Sequence, residues 1–166
     1  MKQKLYLDEL AEGMQYTSGE YEMTVADIKR FAGEFDPQPF HLDEEAARSS
    51  LFGSLAASGW HTAAVTMKLL TEGGVPVAGG TIGLGGEITW PKPTRPGDRL
   101  HVVTTVTEIR PSKSKPGQGV VTTTSETKNQ AGEVVQRFVA KLIAFTRAYS
   151  EAQAQQAPRA QTQAKA

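Results

Sequence analysis

The sequence predicts an α+β domain with its helices first and an antiparallel sheet after them, and two observations carry that prediction. Up to about position 70 the apolar residues recur at three- and four-residue steps, and from position 82 onward they fall at every second residue. The period therefore changes from that of a helix face to that of a half-buried strand. Helices and strands segregated in this way build an α+β architecture rather than alternating βαβ units. At 166 residues the chain suits one domain, since about 150 residues already bury roughly 68–70% of the unfolded surface.

The first helix is expected to begin after Thr24, whose side chain can cap the amides that follow, and Val25, Ile28, Phe31, Ala32 and Phe35 build its apolar face. It should stop near Phe35. Pro37 and Pro39 bias Asp36 and Gln38 out of the helical region, so residues 36–41 are expected to form a stiff, extended loop. Asp43 can cap a short turn over Glu44–Arg48. After the small-residue run Gly53–Ala57, a second long helix should start at Ser58 or Gly59 and run to about Leu70, closed by Gly73 and Gly74. Apolar residues spread around most of its circumference, so it is expected to be buried.

The strands follow in order. Ile82, Leu84, Ile88 and Trp90 alternate with Gly83, Gly85, Glu87 and Thr89. Leu100, Val102, Thr104 and Val106 give one face of the next strand, bounded by Arg95-Pro96-Gly97-Asp98 before it and Pro111 after it. Two more strands, Val120–Lys128 and Val134–Thr146, flank Asn129-Gln130-Ala131-Gly132, which suits a tight hairpin turn. The glycines at 79, 80, 83, 85 and 86 are expected where another backbone, such as that of the buried helix, comes close. Residues 1–147 are read as the domain. Residues 148–166, mostly Ala and Gln with Pro158, are expected to be a disordered tail.

Composition removes several function classes. Lys and Arg number 18 against 18 Asp and Glu, so the net charge is zero and an overall basic nucleic-acid binder is excluded. With no cysteine there is no disulfide scaffold, thiolate metal site or thiol nucleophile. No apolar run reaches the roughly 20 residues that cross a bilayer, and the acidic pair Asp8-Glu9 interrupts any apolar leader. A cytoplasmic protein without a membrane partner is expected. The run Gly83-Leu84-Gly85-Gly86 lacks the full dinucleotide fingerprint and precedes a strand rather than a helix, so no nucleotide cofactor is expected. His61 and His101, taken with His41, Asp36 or Asp43, match no familiar zinc spacing, and no metal is expected.

Two features point to chemistry. The first is the proline-stiffened segment that carries Asp36 and His41, a carboxylate and an imidazole in fixed relation and so suited to proton transfer. From spacing alone the commoner reading is that Asp36 caps a turn and His41 hydrogen-bonds locally, since surface Asp and His pairs are common. The second is Ser58-Gly59 at the start of the buried helix, where the first backbone N–H groups lack intrahelical partners and face the positive end of the dipole. Such donors suit an oxygen that becomes negative in a transition state, and Gly59 leaves room for it. A locally basic loop carries Arg110, Lys113 and Lys115, which can make charge-assisted contacts to phosphates.

Phe35-Asp36-Pro37-Gln38-Pro39-Phe40-His41, then Ala56-Ala57-Ser58-Gly59-Trp60-His61, and later Pro93-Thr94-Arg95-Pro96-Gly97-Asp98 resemble, in that order, the MaoC-like dehydratase family, the (R)-specific enoyl-CoA hydratases. The resemblance spans roughly Tyr16 to Arg147. It implies a hot-dog fold, in which a long central helix is wrapped by an antiparallel sheet. It further implies that Asp36 and His41 are the catalytic pair, that the Gly59 N–H lies in the oxyanion hole, and that the reaction is reversible syn addition of water to a trans-2-enoyl thioester. Ser58, Trp60, Arg110, Lys113 and Lys115 are then the expected substrate contacts, and coenzyme A enters as part of the acyl-CoA substrate rather than as a cofactor. Which of Asp36 and His41 is base and which acid stays open. So does the choice between Thr62 and Thr66 as an assisting hydroxyl. Gln38 stands where the family usually has Asn. A thioesterase or a non-catalytic acyl-CoA-binding module is the alternative on the same scaffold. An unpaired sheet edge also leads us to expect a homodimer or higher homo-oligomer with the acyl pocket between subunits.

Overall fold

The computed structural model describes residues 3–156. Six antiparallel strands form one sheet: β1 (Gln15–Thr17), β2 (Tyr21–Glu22), β3 (Ile82–Thr89), β4 (Arg99–Pro111), β5 (Gln118–Lys128) and β6 (Val134–Phe145). Their order is β1-β4-β5-β6-β3, with β2 also pairing with β4. Three helices precede the long one: α1 (Val25–Phe35), α2 (Pro39–Leu42) and α3 (Glu44–Arg48), followed by α4 (Gly59–Gly73). Val65 and Leu69 of α4 share one apolar cluster with Leu100 and Val102 of β4, Val135 of β6 and Met23 and Ile28 near α1. This is the hot-dog arrangement. A second cluster, including Leu7, Val77, Val106 and Val121, closes the far end of the sheet. Among the described residues no helix is long and apolar enough to cross a membrane.

The caps behave as the sequence implies. Thr24 accepts the Asp27 N–H at the start of α1, and Asp43 accepts those of Glu45 and Ala46 at the start of α3. The Asn129–Gly132 turn joins β5 to β6, with Gly132 at φ 77°.

Several expectations are corrected. Only residues 36–38 of the proline segment lie outside a helix. Pro39 opens α2, because its fixed φ suits the first helical position, where no N–H is needed. Helix α4 continues to Gly73 and is not buried all round: Trp60 is 61% exposed and Met67 44%, while His61, Thr62, Val65, Thr66 and Leu69 face inward. Of the five glycines, only Gly86 meets a close neighbour, and that neighbour is β6 rather than the helix: a Cβ there would lie 2.5 Å from the Val139 carbonyl oxygen. Gly85, at φ 145°, sits at the register shift between β3 and β6. Strand β4 runs through Pro111 instead of stopping before it.

Past residue 147 the chain first forms a helix, α5 (Arg147–Gln156), where a disordered tail is expected. Its first turn is anchored. Tyr149 stacks on Phe145 at 5.3 Å and its hydroxyl accepts a hydrogen bond from Gln118, contacts between residues too sparse to leave an apolar period. The expectation for residues 157–166 concerns positions outside the described residues. The short strands β1 and β2 carry too few residues for a period to be read.

Candidate active site

Helix α1 ends at Asp36, whose backbone N–H still reaches the Ala32 carbonyl while Pro37 turns the chain away. Its carboxylate is held from two sides. Ser58 donates its hydroxyl to Oδ2 at 2.6 Å, and Gln38 donates its amide to Oδ1 at 2.8 Å. One helical turn later, His41 is buried between Phe40 and Phe52, its ring edge-on to Phe40 at 4.6 Å. The His41 Nδ1 lies 2.7 Å from the Ala56 carbonyl oxygen. A carbonyl only accepts, so Nδ1 carries a proton, and in the neutral form of the ring the lone pair is on Nε2. That nitrogen stands 3.5 Å from Asp36 Oδ2.

Three consecutive residues tie the parts together. Ala56 orients His41, Ala57 donates its N–H to the Thr94 carbonyl at 2.9 Å, and Ser58 holds Asp36. Ser58 is also the N-cap of α4, accepting the Trp60 N–H at 3.2 Å. The first intrahelical donor is Thr62, to the Ser58 carbonyl. Ahead of it, the Gly59 N–H finds no acceptor among the described residues. Asp36, His41, Gly59, Trp60, Thr62 and Thr94 all line one cleft of about 390 Å³. Burial raises the Asp36 pKa, but the hydrogen bonds from Ser58 and Gln38 and the nearby imidazole outweigh it, so the net value lies below the ordinary carboxylate range. Asp36 is therefore an ionised acceptor at neutral pH.

The structure thus brings together Asp36, His41, Gly59 and Trp60 of the residues expected from sequence. Ser58 differs from its expected role: it is buried, and its hydroxyl is spent on Asp36 rather than on a ligand. Arg110, Lys113 and Lys115 lie elsewhere. The β4–β5 pair runs from His101 opposite Lys128, near the cleft, to Pro111 opposite Gly119, beside the basic loop. At about 3.3 Å per residue the two ends are roughly 30 Å apart, and Arg110 there pairs with Glu108. Of the two threonines, Thr62 lines the cleft and donates to Thr94 at 2.9 Å, whereas Thr66 is bonded to Thr127 under the helix. Gln38 fills the position of the usual Asn by bonding Asp36. His61 stacks on Phe31 at 4.7 Å, away from His101 on β4. Among the described residues no three His, Cys, Asp or Glu side chains cluster as a metal site would need.

Sequence reasoning missed Trp90, Lys92 and Thr94 as cleft residues and Gln136 beneath them. One signal was available. Gln136 is a polar residue beside Val134 and Val135 in a strand that otherwise reads as core.

Comparison with known proteins places these residues in context. The family model described as MaoC like domain matches residues 9–130. The Bacillus subtilis protein YdeM is 37% identical over 127 residues, covering 75% of this chain and 87% of its own. The crystal structure of a MaoC-like dehydratase from Rhodospirillum rubrum is 62% identical, with a TM-score of 0.85 over 86% of this chain and 98% of that one. R-hydratase PhaJ1 from Pseudomonas aeruginosa is 26% identical, with a TM-score of 0.71 over 87% and 88% of the two chains.

Proposed function

The chain belongs to the MaoC-like domain family, and on that premise we propose that it is a hydro-lyase adding water reversibly across a trans-2-enoyl-CoA thioester to give the (R)-3-hydroxyacyl product. The observation that carries the reading is the pairing of Asp36 Oδ2 with His41 Nε2 at 3.5 Å, in one cleft with the Gly59 N–H. The likeness to a MaoC-like dehydratase and to an R-hydratase supports the reaction class.

A water held between the two side chains would give its proton to His41 Nε2 as its oxygen bonds to Cβ. The π electrons of the double bond move toward the thioester oxygen, where the Gly59 N–H at the positive end of α4 meets the developing charge. The imidazolium then returns the proton to Cα, on the same face, which restores the neutral ring and completes a syn addition. Asp36 stays ionised throughout, accepting from the remaining O–H of the water and stabilising the transient imidazolium. Its Ser58 and Gln38 hydrogen bonds support that role, because they favour the charged form.

Lys92, which lines the cleft and pairs with Glu133, is a cation suited to the anionic CoA ester. Arg110, Lys113 and Lys115 can contribute only if a second copy presents them. A homodimer is part of the proposal: β3 is an unpaired edge, exposed along nearly its whole length, with Ile82 and Leu84 outward. Loss of enoyl absorbance on mixing with crotonyl-CoA tests the reaction. Release of free CoA thiol without hydration would instead indicate a thioesterase.

A further inference from the structure

Gln136 is a buried amide in the core of a strand, and Val135 beside it is buried as well. Two consecutive strand residues can both turn inward because the β5–β6 register shifts between Thr127 and Lys128. The Gln136 Oε1 accepts the indole N–H of Trp90 at 2.9 Å, while its own Nε2 has no partner. Trp90 follows directly after β3, and its six-membered ring lies on the Cα of Gly59: a Cβ at that glycine would stand 2.8 Å from Trp90 Cε2 and 3.1 Å from Cζ2. On its other side Trp90 meets Trp60 edge-on at 5.5 Å.

A leucine at 136 would fill similar space and remove the unsatisfied amide N–H, and the indole N–H of Trp90, itself 41% exposed, can turn to solvent for an acceptor, so stability does not call for glutamine there. What glutamine supplies is a fixed acceptor for the indole. We infer that Gln136 and Trp90 are positioning residues for the Gly59 N–H, the buried amide fixing the indole and the indole fixing the first turn of α4. Ser58 ties that turn to Asp36 from one side and Trp90 braces it from the other. The oxyanion donor is thereby held in register with the proton-transfer pair, where misplacement by about 1 Å can cost 10²-fold. The inference rests on the hydration reading for its catalytic meaning, and its geometry can be tested without it.

The test compares Gln136→Leu, Trp90→Phe and the double variant with the wild type. For crotonyl-CoA hydration, each single variant should lose about tenfold in kcat with KM within about twofold, and thermal stability of Gln136→Leu should be unchanged or higher. The double variant should be no worse than the worse single one, since both break one bond. In ¹⁵N-resolved NMR, the Gly59 amide resonance should move in Gln136→Leu and respond less to butanoyl-CoA than in the wild type. Wild-type kcat in folded Gln136→Leu, or losses that add in the double variant, would overturn the inference. If Gln136→Leu does not fold, Trp90→Phe, which keeps an aromatic side chain but loses both the N–H and the benzo ring against Gly59, decides by the same kcat and NMR criteria. An inactive wild type would count against the hydration reading alone, and an unmoved Gly59 resonance would then still overturn the positioning role.

Discussion

Ser58 donates to Asp36 Oδ2 at 2.6 Å and at the same time accepts the Trp60 N–H at 3.2 Å. One hydroxyl thus joins the carboxylate at the end of α1 to the first turn of α4. Residues 56–58 thereby tie the carboxylate, the imidazole and the helix start to one short segment.

Removing that hydroxyl separates two effects. Ser58→Ala should lower stability by about 1 kcal/mol through the lost cap and lower kcat/KM about tenfold. It should also raise the acidic limb of the pH–rate profile, because the hydrogen bond that holds the Asp36 pKa down is gone. Ser58→Thr keeps the hydroxyl and should keep the limb near its wild-type position. Rates measured across pH check this, and an unmoved limb in Ser58→Ala would contradict it.

Gly59→Ala places a methyl group 2.8 Å from the Trp90 ring. The indole or the helix start must shift, and either displacement disturbs the Gly59 N–H proposed as the oxyanion donor. A loss of about 10²-fold in kcat is expected in a protein that still folds. Steady-state kinetics with circular dichroism as the folding control measure it.

Much of this fold is legible in the sequence because its long elements carry a strong period: α1, α4 and β3–β6 can all be read, with their caps and the Gly132 turn. Elements of two or three residues, such as β1 and β2, leave no period, and α2 is masked by prolines that signal an extended segment as readily as a helix start. The Asp36 and His41 pair and Gly59 are visible as motifs. The roles of Ser58 and Gln136 are not, since each acts across a tertiary contact, 22 residues from Asp36 in one case and 46 from Trp90 in the other. Local spacing carries no trace of such contacts. The distance of the basic loop from the cleft within the single chain is hidden for the same reason, since it is set by the length of the β4–β5 pair and not by any local spacing.

His61 makes stability depend on pH. Burial against Phe31 lowers its pKa from the ordinary 6.5, a nearby Asp27 opposes the shift and Arg30 adds to it. A histidine whose folded value lies below its unfolded one binds fewer protons folded than unfolded in the window between them. Stability should therefore rise with pH through that window, which ends near 6.5, and fall as acid charges the ring. His61→Phe should flatten the dependence, as thermal denaturation from pH 5 to 7 would reveal; an unchanged slope would sink the assignment.

The exposed β3 edge should pair with a second copy. Light scattering is expected to give a dimer or larger homo-oligomer for the wild type, and Ile82→Lys with Leu84→Glu should shift it toward monomer without loss of secondary structure, since both side chains are exposed in the single chain.

Hydration of crotonyl-CoA, followed as loss of enoyl absorbance, tests the central claim most directly when wild type is run beside Asp36→Asn and His41→Ala. If the pair at 3.5 Å in the cleft moves the proton as proposed, the wild type turns over without release of CoA thiol and each folded variant falls by about 10²-fold or more. Absence of turnover across a broad enoyl-CoA panel, or variants as fast as the wild type, would contradict it.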